Sequence, residues 1–461
     1  MASSALGCVL EAPSADLTPT KPTTRPRNVP DVNQSAVTHA DLRLFTPTSA
    51  GPDAATWDQF VLASQFREHC DRLLLMEDDM LGAGMGFTAR MMAVALLWAM
   101  RTDRVLIEVP NDPKWGPADK SAAQHPRWCD RKPFTQQCFY RPWTHCSIGS
   151  KAAADAATLP ALSRGCPSMF CGNSSASSGF RLKAVRAEAR IVRVKLSWLH
   201  HQHLMWAGPK KHSRAYGAAL RFLFRPRPWV KRLAACVMRD ARLESRRFVT
   251  VHIRDSAQKR LELSHSKMPT ISNYFGLTRA LSLRLGVTSI FVQTSSAKGL
   301  ANVAALAAAP SGGAQSASSM LNVSFTSNER GDNDAWGGVD RSRVMEEAIV
   351  AAVNAEVASH AALMVSPALS LWTLFTSALI TTHTDCASRG GKGDEHANAD
   401  QAFACPSVSL TCPCVRHDEG GGWGHLTVVA HEPATIERIR AGGGPSMGDS
   451  GCRLPRARAH K

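Results

Sequence analysis

The chain has 461 residues, 44% of them hydrophobic, with 54 Lys+Arg against 38 Asp+Glu and a formal net charge of +16. That apolar share supports a large buried core and excludes wholesale disorder, and the length suits two or three domains or one two-lobed enzyme with tails. The basic surplus favours an anionic partner or is simply a solvated surface. It is spread along the chain, densest at residues 239–247 and 453–461, with no zinc-finger, RNA-recognition or homeodomain pattern, so nucleic-acid binding is not expected.

Residues 1–55 form a leader, rich in Ala, Pro, Ser and Thr over the first 50, which reads as disordered. Ordered pattern begins near Trp57, and a polar stretch over residues 60–71 leads to an apolar strand at 73–76. Then comes Leu81-Gly-Ala-Gly-Met-Gly86, an apolar helix-favouring run over 91–100, and a strand at 104–109. Strand, glycine turn, helix and strand make one parallel α/β unit. Gly82, Gly84 and Gly86 would let the backbone approach a ligand at a helix N-terminus, or would simply make a tight turn.

Residues 110–180 are irregular and hold Cys129, Cys138, Cys146, Cys166 and Cys171, whose spacing fits no zinc ribbon. In an oxidising compartment they would pair, and the total of 13 cysteines leaves at least one thiol over. His200, His201 and His203 lack the i, i+4 spacing of a helical zinc pair. A further strand within 186–206 precedes helices at 214–224 and 229–242, separated by Pro226 and Pro228. The first lobe is thus drawn at 56–245, with the Cys-rich insertion inside it and the acceptor on its side.

The second lobe is drawn at 246–384. Its predicted strands lie at 248–254, 289–294, 322–325 and 362–365, alternating with helices near 274–285, 298–308, 341–360 and 371–380. That order predicts a doubly wound sheet, with ligand beyond the carboxyl ends of its strands. His252 and Arg254 stand at such an end and alternate with Ile253, so both can face one side. A guanidinium there suits two phosphate oxygens of a sugar-diphosphate donor and could replace a metal; the alternative is a strand-end arginine in a surface ion pair. Asp78-Asp79 and Asp332-Asn-Asp334 stand at no convincing strand end, so no metal is expected.

Residues 385–461 read as an irregular Gly/Cys-rich tail with one strand-like run at 426–430. Cys405, Cys412 and Cys414 with His417 could in principle hold a metal, although Cys-Pro-Cys is not a usual chelating hairpin. Asn-x-Ser sequons occur at Asn33, Asn173 and Asn322. No apolar run of membrane-spanning length and no signal-like start is seen in this sequence.

Four segments in order resemble the α-1,6-fucosyltransferase family and its bacterial chitooligosaccharide relatives. They are Gly82-Ala-Gly-Met-Gly86 with its helix and strand; Ala218-Ala-Leu-Arg-Phe-Leu-Phe-Arg-Pro-Arg-Pro-Trp229; Val249-Thr-Val-His-Ile-Arg254; and Leu363-Met-Val-Ser-Pro-Ala-Leu-Ser370. The resemblance implies an α/β GT-B architecture, two Rossmann-like lobes facing a cleft. It also implies a GDP-fucose donor, an inverting metal-independent reaction on an N-glycan-like oligosaccharide, and a Golgi or secretory location. Carried over by position, it puts His252 at the nucleotide, Arg254 at the β-phosphate, Ser370 near the diphosphate and Glu262 as a carboxylate needed for activity. Departures from the family pattern stand at Asp255, Ala257, Gln258, Ser295, Ser296 and Asn354. Protein O-fucosylation, another GT-B transfer, or an inactive sugar-nucleotide or glycan binder are the alternatives.

Overall fold

The structure is a computed structural model. It describes residues 54–78, 85–109, 136–146, 189–196, 199, 213–254, 269–308, 321–326, 344–367, 370–380, 409–413, 425–430 and 435. The predicted leader lies outside them up to residue 53. The chain divides into two compact units after Arg227.

The first unit holds α1 (Ala54–Gln65), β1 (Leu73–Glu77), α2 (Met85–Arg101), β2 (Val105–Val109), β3 (Ile191–Lys195) and α3 (Ser213–Leu223). Its three strands are parallel in the order β2-β1-β3. α1 replaces the expected polar stretch. Its place depends on partners distant in sequence: it packs on α3, and Arg221 holds Asp58 at 2.8 Å. Gln65, at its end, accepts the Leu106 N–H of β2 at 3.0 Å, so a donor with no strand neighbour among the described residues is satisfied by a side chain.

Helix α2 is built from Met, Ala and Leu, strong helix formers, and every residue over 91–100 is buried. A helix apolar on all sides is an interior helix. It ends where Asp103 takes φ 56°, a left-handed conformation that Asp tolerates. Asp103 in turn receives Arg67 and Arg72.

The aromatic Arg-Pro-x-Pro-Trp stretch has a structural task. Tyr140 bridges Pro226, the Arg141 N–H donates to Arg225 O at 2.7 Å and the Arg227 N–H donates to Phe139 O at 2.9 Å. Trp143 donates its indole N–H to Leu223 O at 2.8 Å, and Tyr140 meets Phe224 edge to face at 4.8 Å. This stretch therefore holds the described end of the Cys-rich insertion. Cys146 is disulfide-bonded to Cys70, and Cys138 is also in a disulfide.

The second unit contains α4 (Pro228–Asp240), β4 (Phe248–His252), α5 (Ile271–Leu285), β5 (Ser289–Gln293), α6 (Ala297–Ala308), β6 (Asn322–Ser324), α7 (Val344–Ser359), β7 (Leu363–Pro367), α8 (Leu371–Ile380), β8 (Ser409–Pro413) and β9 (His425–Ala430). The expectation placed α4 with the first lobe; it belongs here because it packs on α7. The sheet runs β6-β5-β4-β7-β9-β8. Strands β4 to β7 are parallel, while β9 joins β7, and β8 joins β9, antiparallel. The tail is therefore not wholly irregular. Leu426, Val428 and Ala430 alternate into the core beside Val249, Val251, Leu363 and Val365, and Val429 faces the other side with Met364 and Ile380.

Helix α5 starts on a reciprocal cap between Thr270 and Asn273 and stops at Gly286, whose left-handed φ of 66° favours glycine. Among the described residues no helix is long and apolar enough to cross a membrane.

Candidate active site

Within β4 to β7 the chain order makes the sheet order third, second, first, fourth. β5 and β6 lie to one side of β4, and β7 to the other. The winding direction thus reverses between β4 and β7, and in sheets wound this way the ligand crevice is the one beyond the carboxyl ends of such a pair. His252 closes β4, Arg254 follows two residues later, and Ser370 stands between β7 and α8.

These three residues meet. Arg254 Nη1 donates to Ser370 Oγ at 3.3 Å, and Ser370 Oγ lies 3.3 Å from His252 Nε2. A guanidinium can only donate, so the Ser370 oxygen accepts from it and its own proton can turn to Nε2. Ser370 is 1% exposed, while Arg254 and His252 are half-buried. Desolvation, the largest cause, and the Arg254 charge push the His252 pKa down to about 3, with a weaker opposing pull from the Gln293 main chain. Nδ1 of the ring has no well-aligned hydrogen bond. The imidazole is therefore neutral at physiological pH, and Arg254 is the cation of this cluster.

The surroundings keep it in place. Thr373, in the first turn of α8, donates its hydroxyl to Pro367 O at 2.9 Å and contacts the Ser366 hydroxyl, which pins α8 to the end of β7. The Ser370 N–H donates to the same Pro367 carbonyl at 3.1 Å. The positive end of the 10-residue α8 is thereby held at Ser370, on the Arg254 side of the crevice.

Gln293 ties the rest together. Its amide accepts the Trp372 indole N–H at 2.8 Å and donates to Asn354 O at 2.7 Å, while its main-chain carbonyl accepts the Ile253 N–H at 2.9 Å. Trp372 stands 6.2 Å, ring to ring, from His252. Sequence reasoning missed Gln293 and Trp372. A polar residue at the carboxyl end of β5, and a tryptophan two residues past Ser370, were the available signals.

The remaining expected positions divide as follows. Glu262, Gly82, Gly84, Asp255, Ala257 and Gln258 lie outside the described residues, and Gly86 is buried in the first turn of α2. Ser296 is used locally: its Oγ accepts the Gly299 N–H at 2.9 Å and caps α6. Among the described residues, Cys70, His145 and Cys146 cluster closely enough for a metal, but the two sulfurs are bonded to each other. The described side chains do not include the Cys405, Cys412, Cys414 and His417 set. In the first unit the buried Glu77 at the carboxyl end of β1 forms an ion pair with Arg193 in the middle of β3. An anion held by a fixed guanidinium, a serine and a helix N-terminus is what the second unit's crevice can bind.

No protein-family model matches the chain, and no curated protein matches it. Among solved structures, a mutant of Arabidopsis thaliana FUT1 in complex with GDP is similar at 12% identity, over 78% of this chain and 79% of that one, with a TM-score of 0.35. A likeness at that TM-score carries no argument for fold or activity.

Proposed function

We propose that the chain is a glycosyltransferase of GT-B type that takes a nucleotide-diphosphate sugar, GDP-fucose, and passes the sugar to an oligosaccharide of N-glycan type. One observation carries this reading: Arg254, Ser370 and His252 are hydrogen-bonded together at the switch point of a doubly wound sheet. The family resemblance of the four sequence segments supports the choice of donor.

In this reading the diphosphate of the donor lies against Arg254 and the N-terminus of α8. As the sugar–oxygen bond breaks, negative charge builds on the departing diphosphate, and a fixed guanidinium stabilises it in the role a divalent cation would otherwise take. His252 stays neutral, so it can accept or donate at the nucleotide without adding charge. Glu262 is proposed, from the resemblance alone, as the base that takes the acceptor hydroxyl proton during an inverting attack. Disulfides at Cys70–Cys146, Cys138 and Cys236 support a secretory, oxidising location.

The test uses the purified full chain with GDP-fucose, an N-glycan acceptor and a chelator, with released GDP as the readout. Turnover is expected with wild type, and loss of at least 100-fold with Arg254→Ala, the scale of removing a group that stabilises transition-state charge. Turnover that survives Arg254→Ala overturns the diphosphate assignment.

A further inference from the structure

We propose that Asn322 is a site of N-linked glycosylation, and that its glycan covers the bare edge of the second unit's sheet. The sequon Asn322-Val323-Ser324 is strand β6 itself. β6 ends the sheet, with β5 as its strand partner and no other among the described residues.

Alternation along this strand decides which way Asn322 faces. Leu321, Val323 and Phe325 pack against the core cluster that α5 and α6 cover. Asn322 and Ser324 therefore point to the opposite face, and Asn322 is exposed. A short edge strand with an outward polar residue still presents unpaired backbone groups to other chains, and a bulky polar cover there prevents strand addition.

The location is compatible with the candidate active site. Asn322 pairs with Ser289 at the start of β5, whereas His252 pairs with Gln293 at its end. Those levels are four residues apart on β5, about 13 Å at the rise of a parallel strand. A glycan on Asn322 thus leaves from the amino end of the strands, and the crevice lies at the carboxyl end. The proposal rests on the secretory location proposed above, which the disulfides support and where such transfer occurs.

In the fold the Asn322 N–H donates to Thr288 O at 2.8 Å and the Ser324 hydroxyl donates to Ile290 O at 3.2 Å. Transfer therefore takes place on the extended chain before β6 docks. The side-chain amide nitrogen attacks the anomeric carbon of an oligosaccharide carried on a lipid diphosphate. A carbon–nitrogen bond forms, the carbon–oxygen bond to the diphosphate breaks, the lipid diphosphate leaves with the electron pair, and the amide proton passes to a base of the host's transferring enzyme.

The experiment expresses the full chain in a eukaryotic secretory host and maps peptides by mass spectrometry after enzymatic release of N-glycans, which converts an occupied asparagine to aspartate. Conversion at position 322 is expected. Asn322→Gln and Ser324→Ala should each abolish it, Ser324→Thr should retain it, and donor binding should be unchanged in all three. An unconverted Asn322 peptide, in secreted protein whose Cys70–Cys146 bond is formed, overturns the proposal. The result is independent of the donor assignment, because occupancy is read without any turnover.

Discussion

The indole N–H of Trp372 and the side-chain oxygen of Gln293 are joined over 2.8 Å, and through them the start of α8 is tied to the end of β5. Because the same amide also reaches Asn354 O, one side chain on β5 fixes two helices beside His252. Gln293→Leu keeps the bulk but orphans the Trp372 donor and removes the second bond to the Asn354 carbonyl. A loss of about 3 kcal/mol is expected from urea unfolding, against about 1 kcal/mol for Trp372→Phe. Equal losses in the two variants would show that the Asn354 bond contributes nothing.

Ser370 joins the other two members of the cluster. Ser370→Ala leaves Arg254 without this acceptor and removes the Nε2 partner of His252. GDP affinity measured calorimetrically without metal should fall about 10-fold, the scale of one good polar contact. Ser370→Thr, which retains the hydroxyl, should recover most of it. If Ser370→Ala binds GDP as tightly as wild type, the serine is only a packing residue.

His252 makes stability depend on pH with a definite sign. Its pKa is about 3 in the fold and about 6.5 in the unfolded chain, so between those values the unfolded state holds more protons. The contribution of the neutral ring is complete above pH ~6.5 and is lost progressively as pH falls towards 3. Its full extent is on the order of a few kcal/mol. Denaturant unfolding of His252→Gln from pH 4 to 7 should show a shallower slope than wild type, and parallel slopes would count against a buried neutral ring.

The Cys70–Cys146 bond closes a loop with a sequence separation of 76. Loop-closure entropy predicts a stabilisation of about 4.5 kcal/mol from restricting the unfolded chain. The double variant Cys70→Ser, Cys146→Ser should lose that amount in denaturant titrations. The effect should be confined to the first unit, so limited proteolysis should leave the second unit intact.

Much of the second unit was legible because its strands and helices alternate cleanly and its buried strands are rich in Val, Ile and Phe. Val249 to Ile253 shows both the strand and the end at which His252 and Arg254 stand. That Arg254 and Ser370 both belong near one ligand came only from the family resemblance; their direct contact, between residues 116 positions apart, is seen only in the fold. Gln293 was not legible, because its importance comes from Trp372 and Asn354, partners that only folding brings near. Helix α1 was missed for a similar reason: Asp58 and Gln65 have their partners on α3 and β2. Strand β8 ends in Pro413 and, among the described residues, pairs only with β9, so its local pattern is weak and its place depends on its neighbour.

The second edge of β7 is completed by β9, some sixty positions later in the chain, after the helices α4 to α8 have been made. The sheet beneath Arg254 and Ser370 therefore lacks this strand until residue 430 has left the ribosome. A nascent chain halted before residue 425 would display β7 as an open template to its neighbours, so abundance in the cell should depend on uninterrupted synthesis of the last stretch as much as on the site it completes.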